Sequence, residues 1–444
     1  MKTYLTRAIA VLLIALSISC KKKQAPDEVS PNQIISDASI EQFFKSHPDF
    51  AIYRKEVVGL YDEKRNRYLW FDEDGRNDMA EVLYNYASKI EAEGVPVPLP
   101  YKEQFSKLFN EKAKATPEND LLISSMYLFY AKKVFAGIDP RKSKQLGWYL
   151  PREKASYADY LDQMLKENEV ITDESANIGM YYNLRKGLKK YRSLKASGIE
   201  KDADGVPIDQ RIKTIIVNME RCRWLSRDIA DVPEYISVNI PSYFMQYVRD
   251  GKTALESNVI VGEEANKTVV FSGRMSYLVF SPYWNVPESI VEKEINPMLE
   301  KDPDYLEKQN MEYYEDGKIR QRPGDDNSLG RVKFMFPNQN NIYLHDTPAK
   351  SLFKKEDRAL SHGCVRVQKA HELAKKILEG DKNWTPAKID AAMHSDKETQ
   401  YALKRKIPVY IAYFTAVADP EGNVKFFDDV YKRDNKLARM LYNE

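Results

Sequence analysis

Two different spacings of apolar residues divide this chain. From about residue 37 to 230 the apolar positions recur every three or four residues, which predicts helices. Met79, Val82, Leu83, Tyr86 and Ile90 fall on one face behind a capping-box pattern at Asp78 and Glu81, and Gly94 ends the run. The stretch LLISSMYLFYAKKVFAG is apolar all round until Lys132, as expected of a central buried helix. In DQRIKTIIVNMERCRWL, Ile212, Ile215, Ile216, Met219 and Cys222 share a face, which places Cys222 in a core. Stretches such as LRKGLKKYRSLK read as solvated helix faces.

The spacing changes near Val232-Pro233. EYISVNI alternates with period two, and Asp250-Gly251 sits between two strand-like runs, a hairpin signal. TVVFSGRMSYLVF, RVKFMF and NIYLH continue as strands. KAHELAKKILEG predicts a helix with Ala370, Leu373, Ala374, Ile377 and Leu378 inward, stopped by Gly380. IPVYIAYFTAVADPEGNVKFF predicts a last hairpin. Between strands, residues 286–326 read as a helical, polar insertion, large enough to cap a neighbouring site. The expectation is an α+β chain: a helical domain over 37–231, a mostly β domain over 232–434 and a short tail at 435–444.

The first 19 residues read as a leader. Lys2 and Arg7 precede the apolar run AIAVLLIALSI, which is short for a membrane span, and Ser19-Cys20 come next. A cysteine at that place resembles the bacterial lipoprotein signal, in which it becomes the lipidated first residue. Ser17 departs from that pattern, because leucine is usual three residues before the cysteine. Lys21, Lys22 and Lys23 oppose an uncleaved anchor, since positive charge after the run resists export of the downstream chain. Residues 20–36 then form a polar tether, and the protein is expected in the cell envelope, anchored to membrane by lipid.

Composition adds an exclusion. Lys plus Arg, 68, nearly balances Asp plus Glu, 66, so no global charge favours nucleic acid. Cysteine adds a question. With Cys20 in the leader and Cys222 in a core, Cys364 is a lone thiol in a chain that reads as exported.

Cys364 lies in ALSHGCVRV, residues 359–367. A thiol becomes nucleophilic when a base or positive potential favours thiolate. His345 ends the strand NIYLH, and His362 stands two residues before the cysteine. Gly363 between them suits a tight turn whose amides face a developing oxyanion. Arg366 is placed to bind a carboxylate or to hold the loop. A buried structural cysteine and a Cys-His-His zinc site fit the same residue types, although no fourth ligand stands at metal spacing. His47, His371 and His394 lie in polar or helix-surface contexts and read as ordinary.

SHGCVRV resembles the signature of the L,D-transpeptidases, the YkuD-like cysteine acyltransferases of bacterial cell walls. SVNIPSYFMQYVRDGK, VIVG, SPYWNVPESI, NSLGRVKFMFPN, IYLHDTP, RALSHGCVRV and PVYIAYFTAV occur in the order of the large YcbB-type branch. DLLISSMYLFYAKKVFAGIDPRK is similar to that branch's helical scaffold, so the resemblance covers most of residues 37–434. It implies a helical scaffold domain, a YkuD-like catalytic domain and a capping subdomain at the inserted segment. A small peptidoglycan-binding module is common in the branch. Here LKKYRSLKASGIEKDADGVPIDQRIKTI leaves no room for one.

By the resemblance, Cys364 is the acylated nucleophile and His345 its base. Gly363 and the Cys364 amide form the oxyanion-hole segment, and His362 is supportive. Arg366, Tyr343 and Trp284 bind substrate, and no metal or cofactor is called for. The implied reaction joins two peptidoglycan stem peptides, donor and acceptor, in a 3→3 cross-link through a thioester, with release of D-alanine. Carbapenems are expected to acylate the same thiol. A hydrolase working through the same thioester and an idle peptide-binding cleft remain open.

Overall fold

Apolar residues on every side make Pro117–Ala131 the axis of the N-terminal half. The Thr116 side chain accepts the Asn119 amide, Pro117 opens the first turn, and every residue from 120 to 131 is buried. Helices Asp37–Ser46, Arg54–Glu63, Asp78–Ala87 and Lys102–Asn110 pack around it. Residues 117–145 form the one helical run, among the described residues, long and apolar enough to cross a membrane, and 67% of its apolar window is buried in the protein. The computed structural model describes residues 34–72, 75–110, 113–152, 156–167, 178–226 and 232–442. The expected leader and Cys20 lie outside them.

Two local expectations shift. The Asp78–Ala87 helix is capped by Asn77, whose side chain accepts the Ala80 amide, so Asp78 is its first helical residue. Gly94 ends the separate short turn Ile90–Glu93, with φ of 69°.

Alternation produces the C-terminal half. Val332–Met335, Leu344–His345, Val365–Val367, Lys252–Gly262, Phe244–Arg249, Tyr235–Asn239, Thr399–Ala412 and Val270–Phe280 pair in that order. The last also pairs with the first, so eight strands close into a barrel. Trp148–Tyr149 and Ala359–Ser361 add short outer pairings. The predicted hairpin turn is present: Asp250 and Gly251 both have positive φ, 51° and 70°, as a tight two-residue connection requires. The α+β expectation, helical region first and mostly β domain second, is what is observed.

Packing divides the chain elsewhere than at 231. Helices Gly179–Ala196 and Ile208–Arg223 bury Tyr181, Leu184, Leu188, Ile215, Met219 and Cys222 in the barrel's hydrophobic cluster, not in that of the first helices. The segment expected as a tail is a helix, Asp434–Tyr442, because Leu437 and Ala438 supply an apolar face that buries in the same cluster. The last expected hairpin also splits: 407–412 belongs to the barrel strand, and Ala416–Ala418 pairs with Val424–Phe426.

The insertion is not purely helical. Trp284–Asn285, Lys318–Gln321 and Met311–Tyr314 form a three-stranded sheet. Short helical segments cover it over Val286, Ile290, Ile295, Leu306, Met311 and Ile319, a core of its own. High charge density over 292–326 hides that alternation.

Candidate active site

Register sets the site. Leu344–His345 runs parallel to Val365–Val367 with Leu344 opposite Val365 and His345 opposite Arg366. Side chains alternate along a strand, so Tyr343 and His345 share a face with Cys364 and Arg366, while Leu344 and Val365 turn into the core at 0% exposure. A cleft of about 470 Å³ opens over that face. Cys364, His345, His362, Arg366, Tyr343 and Trp284 all line it, joined from the insertion by Asn285, Pro287, Ile290 and Glu294. A larger and more apolar hollow near Leu255, Trp384 and Ile389 is lined by no cysteine and no histidine.

The turn carrying Cys364 is held from below. Gly363 has φ of 116°, which disfavours any side chain. Its carbonyl accepts the Thr268 hydroxyl at 2.8 Å, and Thr268 Oγ1 accepts the Gly262 amide at 2.9 Å. Tyr431 donates to the Gly262 carbonyl at 2.6 Å and accepts the Thr268 amide at 3.1 Å. Ser361 Oγ donates to the Cys364 carbonyl at 2.5 Å and accepts the Gly363 amide at 3.2 Å. That last bond alters one expectation. The Gly363 N–H is turned to Ser361, so Gly363 shapes the oxyanion turn without donating to it. Among the described residues the Cys364 amide has no such acceptor.

Cys364 is half-buried, and its Sγ lies 3.7 Å from the Asn341 carbonyl. Burial pushes its thiol up from the ordinary value; hydrogen bonds from the Tyr343 backbone and side chain and the charge of Arg366 pull the other way. His345 is buried, with Nδ1 2.5 Å from the Asp346 carbonyl. Burial first, and then the Arg366 charge, hold its imidazole down at about 3, against hydrogen bonding to the Asp346 and Leu329 backbones. Burial thus favours the neutral form of both side chains. The Asp346 carbonyl can only accept, so Nδ1 carries a proton in that contact.

Arg366 faces no carboxylate, and its Nε is buried without a partner among the described residues. A cationic side chain with an unsatisfied buried N–H in a cleft is a place for an anionic ligand group. His362 points outward and meets Glu294 of the insertion at 2.9 Å. His47, expected in a polar context, is instead buried against Phe43 and Tyr101. His371 pairs with Asp390 on the surface.

Sequence reasoning missed Ser361, Thr268, Tyr431 and Glu294. Ser361 stood inside the quoted motif, whereas Thr268, Tyr431 and Glu294 reach the site from distant segments that carry no local signal.

Comparison with known proteins matches the chain to two domain families. Residues 233–389 match the model of the L,D-transpeptidase catalytic domain, and residues 55–188 that of a scaffold domain. A Haemophilus influenzae protein provisionally named L,D-transpeptidase is 35% identical over 421 residues, spanning 87% of this chain and 79% of that protein. A solved L,D-transpeptidase from Mycobacterium smegmatis is 10% identical with a TM-score of 0.24, covering 40% of this chain and 58%, under two thirds, of that one. The catalytic domain of an E. faecium L,D-transpeptidase is 15% identical with a TM-score of 0.20, over 40% of this chain and 95% of that one.

Proposed function

The chain belongs to the L,D-transpeptidase family, and from that premise we propose that it makes 3→3 peptidoglycan cross-links through a thioester on Cys364. The observation that carries the reading is the register that sets Cys364, His345, Tyr343 and Arg366 on one face of one cleft. In acylation, His345 takes the thiol proton as Sγ attacks the carbonyl of the third stem residue. The Cys364 amide donates to the oxyanion, the C–N bond to D-alanine breaks, and the proton on His345 passes to the leaving amine. Arg366 binds a stem carboxylate. A second stem's side-chain amine then replaces sulfur at the carbonyl carbon. Amine outcompetes water when it is held in attack geometry, for which effective molarities reach about 10⁵–10⁸ M.

The test supplies donor and acceptor stems to the full chain and reads products by mass spectrometry. Cross-linked dimers are expected; tripeptide alone, with acceptor in excess, makes the protein a hydrolase. The proposed address is the cell envelope, through a lipid on Cys20. Labelled palmitate should tag the wild-type protein and leave Cys20→Ala untagged, and label surviving in the variant would refute the anchor.

A further inference from the structure

Glu294 reaches the catalytic loop from a segment 68 residues earlier in the chain. Its Oε1 lies 2.9 Å from His362 Nε2, so the inserted cap touches the loop two residues before the nucleophile. Both side chains line the cleft that holds Cys364. They are 55% and 47% exposed, so a ligand entering the cleft can reach either. Among the cleft's lining residues Glu294 is the one carboxylate and Arg366 the one guanidinium. The cleft therefore has a negative pole as well as a positive one, and acylation as derived above uses only the positive one.

Acyl transfer to an amine has a proton problem that acylation lacks. A side-chain amine with an ordinary pKa of about 10.4 arrives as ammonium, so it must be bound as a cation and deprotonated before it can attack. His345 is poorly suited to that first deprotonation. It is buried, its Nδ1 is held by Asp346, and burial with Arg366 disfavours a positive charge there. The same surroundings disfavour an ammonium beside it. Glu294 and His362 have the complementary properties: a carboxylate to attract the cation, an imidazole to accept a proton, and water access to carry the proton away.

Resting on the acyl-transfer reading, we propose that the Glu294–His362 pair binds the acceptor's ammonium and takes its first proton. The free amine then attacks the thioester carbonyl, forming the C–N bond. The second N–H proton passes by His345 to sulfur as the C–S bond breaks, which restores the thiol. The pair releases the first proton to solvent, so one proton leaves in this half of the reaction. His345 thus serves the donor side, and the pair from cap and loop serves the acceptor side.

The experiment measures the ratio of cross-linked dimer to hydrolysed tripeptide, with full-length protein, a tetrapeptide donor and an amine-bearing acceptor stem. A parallel reaction replaces the acceptor with hydroxylamine, a nucleophile uncharged at neutral pH. Glu294→Gln should lower the dimer-to-tripeptide ratio about 10²-fold, within the span of general-base effects, while its capture by hydroxylamine falls far less. Glu294→Asp should recover part of the ratio, and Glu292→Gln, an exposed cap residue outside the cleft, should match wild type. A wild-type ratio in Glu294→Gln overturns the proposal, as does an equal loss with hydroxylamine. Wild-type protein that forms no donor thioester overturns the acyl-transfer reading and this proposal together. Wild-type cross-linking with an unaffected Glu294→Gln overturns this proposal alone.

Discussion

At the scale of single residues, Arg366 is the group that ties the site's charges together. It pulls the Cys364 thiol down and pushes the His345 imidazole down, so it favours thiolate while disfavouring imidazolium. Arg366→Met, which keeps length and removes charge, should therefore raise the pH midpoint of Cys364 alkylation by iodoacetamide; an unmoved midpoint would remove Arg366 from the thiol's electrostatics. Cys364→Ser should stay folded and gain no mass on carbapenem exposure, because a hydroxyl is far less ionised than a thiol. His345 sets the acid behaviour. An imidazole held at about 3 in the folded protein stays neutral as pH falls through its ordinary 6.5, so carbapenem acylation should hold its rate across that step. The same shift has a sign for stability. Between 6.5 and about 3 the unfolded chain binds the His345 proton and the folded one does not, so this group makes the protein less stable as pH falls through that window. His345→Gln should weaken that acid dependence in urea titrations at stepped pH, and an unchanged slope would contradict it. Cys364, His345 and Arg366 stood out in sequence because a lone thiol with histidines nearby is conspicuous and the run around it resembles a family motif. Glu294 did not, because a carboxylate among many charges shows its role only when folding sets it beside His362.

At the scale of elements, the cap is the part that, under the proposed function, should separate transfer from hydrolysis. Its ends lie side by side: Asn327 Nδ2 donates to the Pro282 carbonyl at 3.0 Å, and the Ser281 amide donates to the Arg331 carbonyl at 2.9 Å. Its apolar residues form their own small core, so residues 284–327 can be replaced by a short Gly-Ser link without opening the barrel. The shortened protein should still gain the carbapenem mass while its products move from dimer toward tripeptide. An unchanged product ratio would mean that the cap does not govern water access. The elements differed in how clearly the sequence announced them. Period-two runs at 235–280 and the Asp250-Gly251 turn marked barrel strands, because one face of each is buried. The cap's strands escaped notice because alternation over four residues, as in Met311–Tyr314, is too short to stand out from surrounding charge. Barrel closure escaped for a different reason. It depends on Val332–Met335 pairing with two strands at once, a long-range fact with no local trace.

At the scale of the whole molecule, two hydrophobic cores meet across a buried polar junction, and its chemistry determines whether scaffold and barrel act as one body. Arg223, on the barrel side, donates to the Val134 carbonyl at 3.0 Å and the Glu93 carbonyl at 2.5 Å, both on the scaffold side. It also pairs with Glu220 at 2.9 Å. Glu220 accepts the Trp224 indole at 2.7 Å and the Ile138 amide at 2.6 Å. Gly137 is needed beside it: its φ is 69°, and a Cβ there would lie 2.1 Å from Glu220 Oε1. Arg223 and Glu220 are 5% and 2% exposed, so removing one partner strands the other's charge away from water. Breaking a buried pair in that way typically costs about 3–5 kcal/mol, whereas exposed pairs are worth about 0–1 kcal/mol. Arg223→Met keeps most of the side-chain volume and removes Glu220's buried ion-pair partner. It should lower stability by about 3–5 kcal/mol in urea titrations, most of a typical domain's margin. Because the lost contacts cross the junction, the loss should also separate the two cores, so near-ultraviolet signals from scaffold and barrel aromatics unfold at different urea concentrations. A single transition displaced by under about 1 kcal/mol would mean that the junction behaves as a surface ion pair does, and that apolar packing alone holds scaffold to barrel.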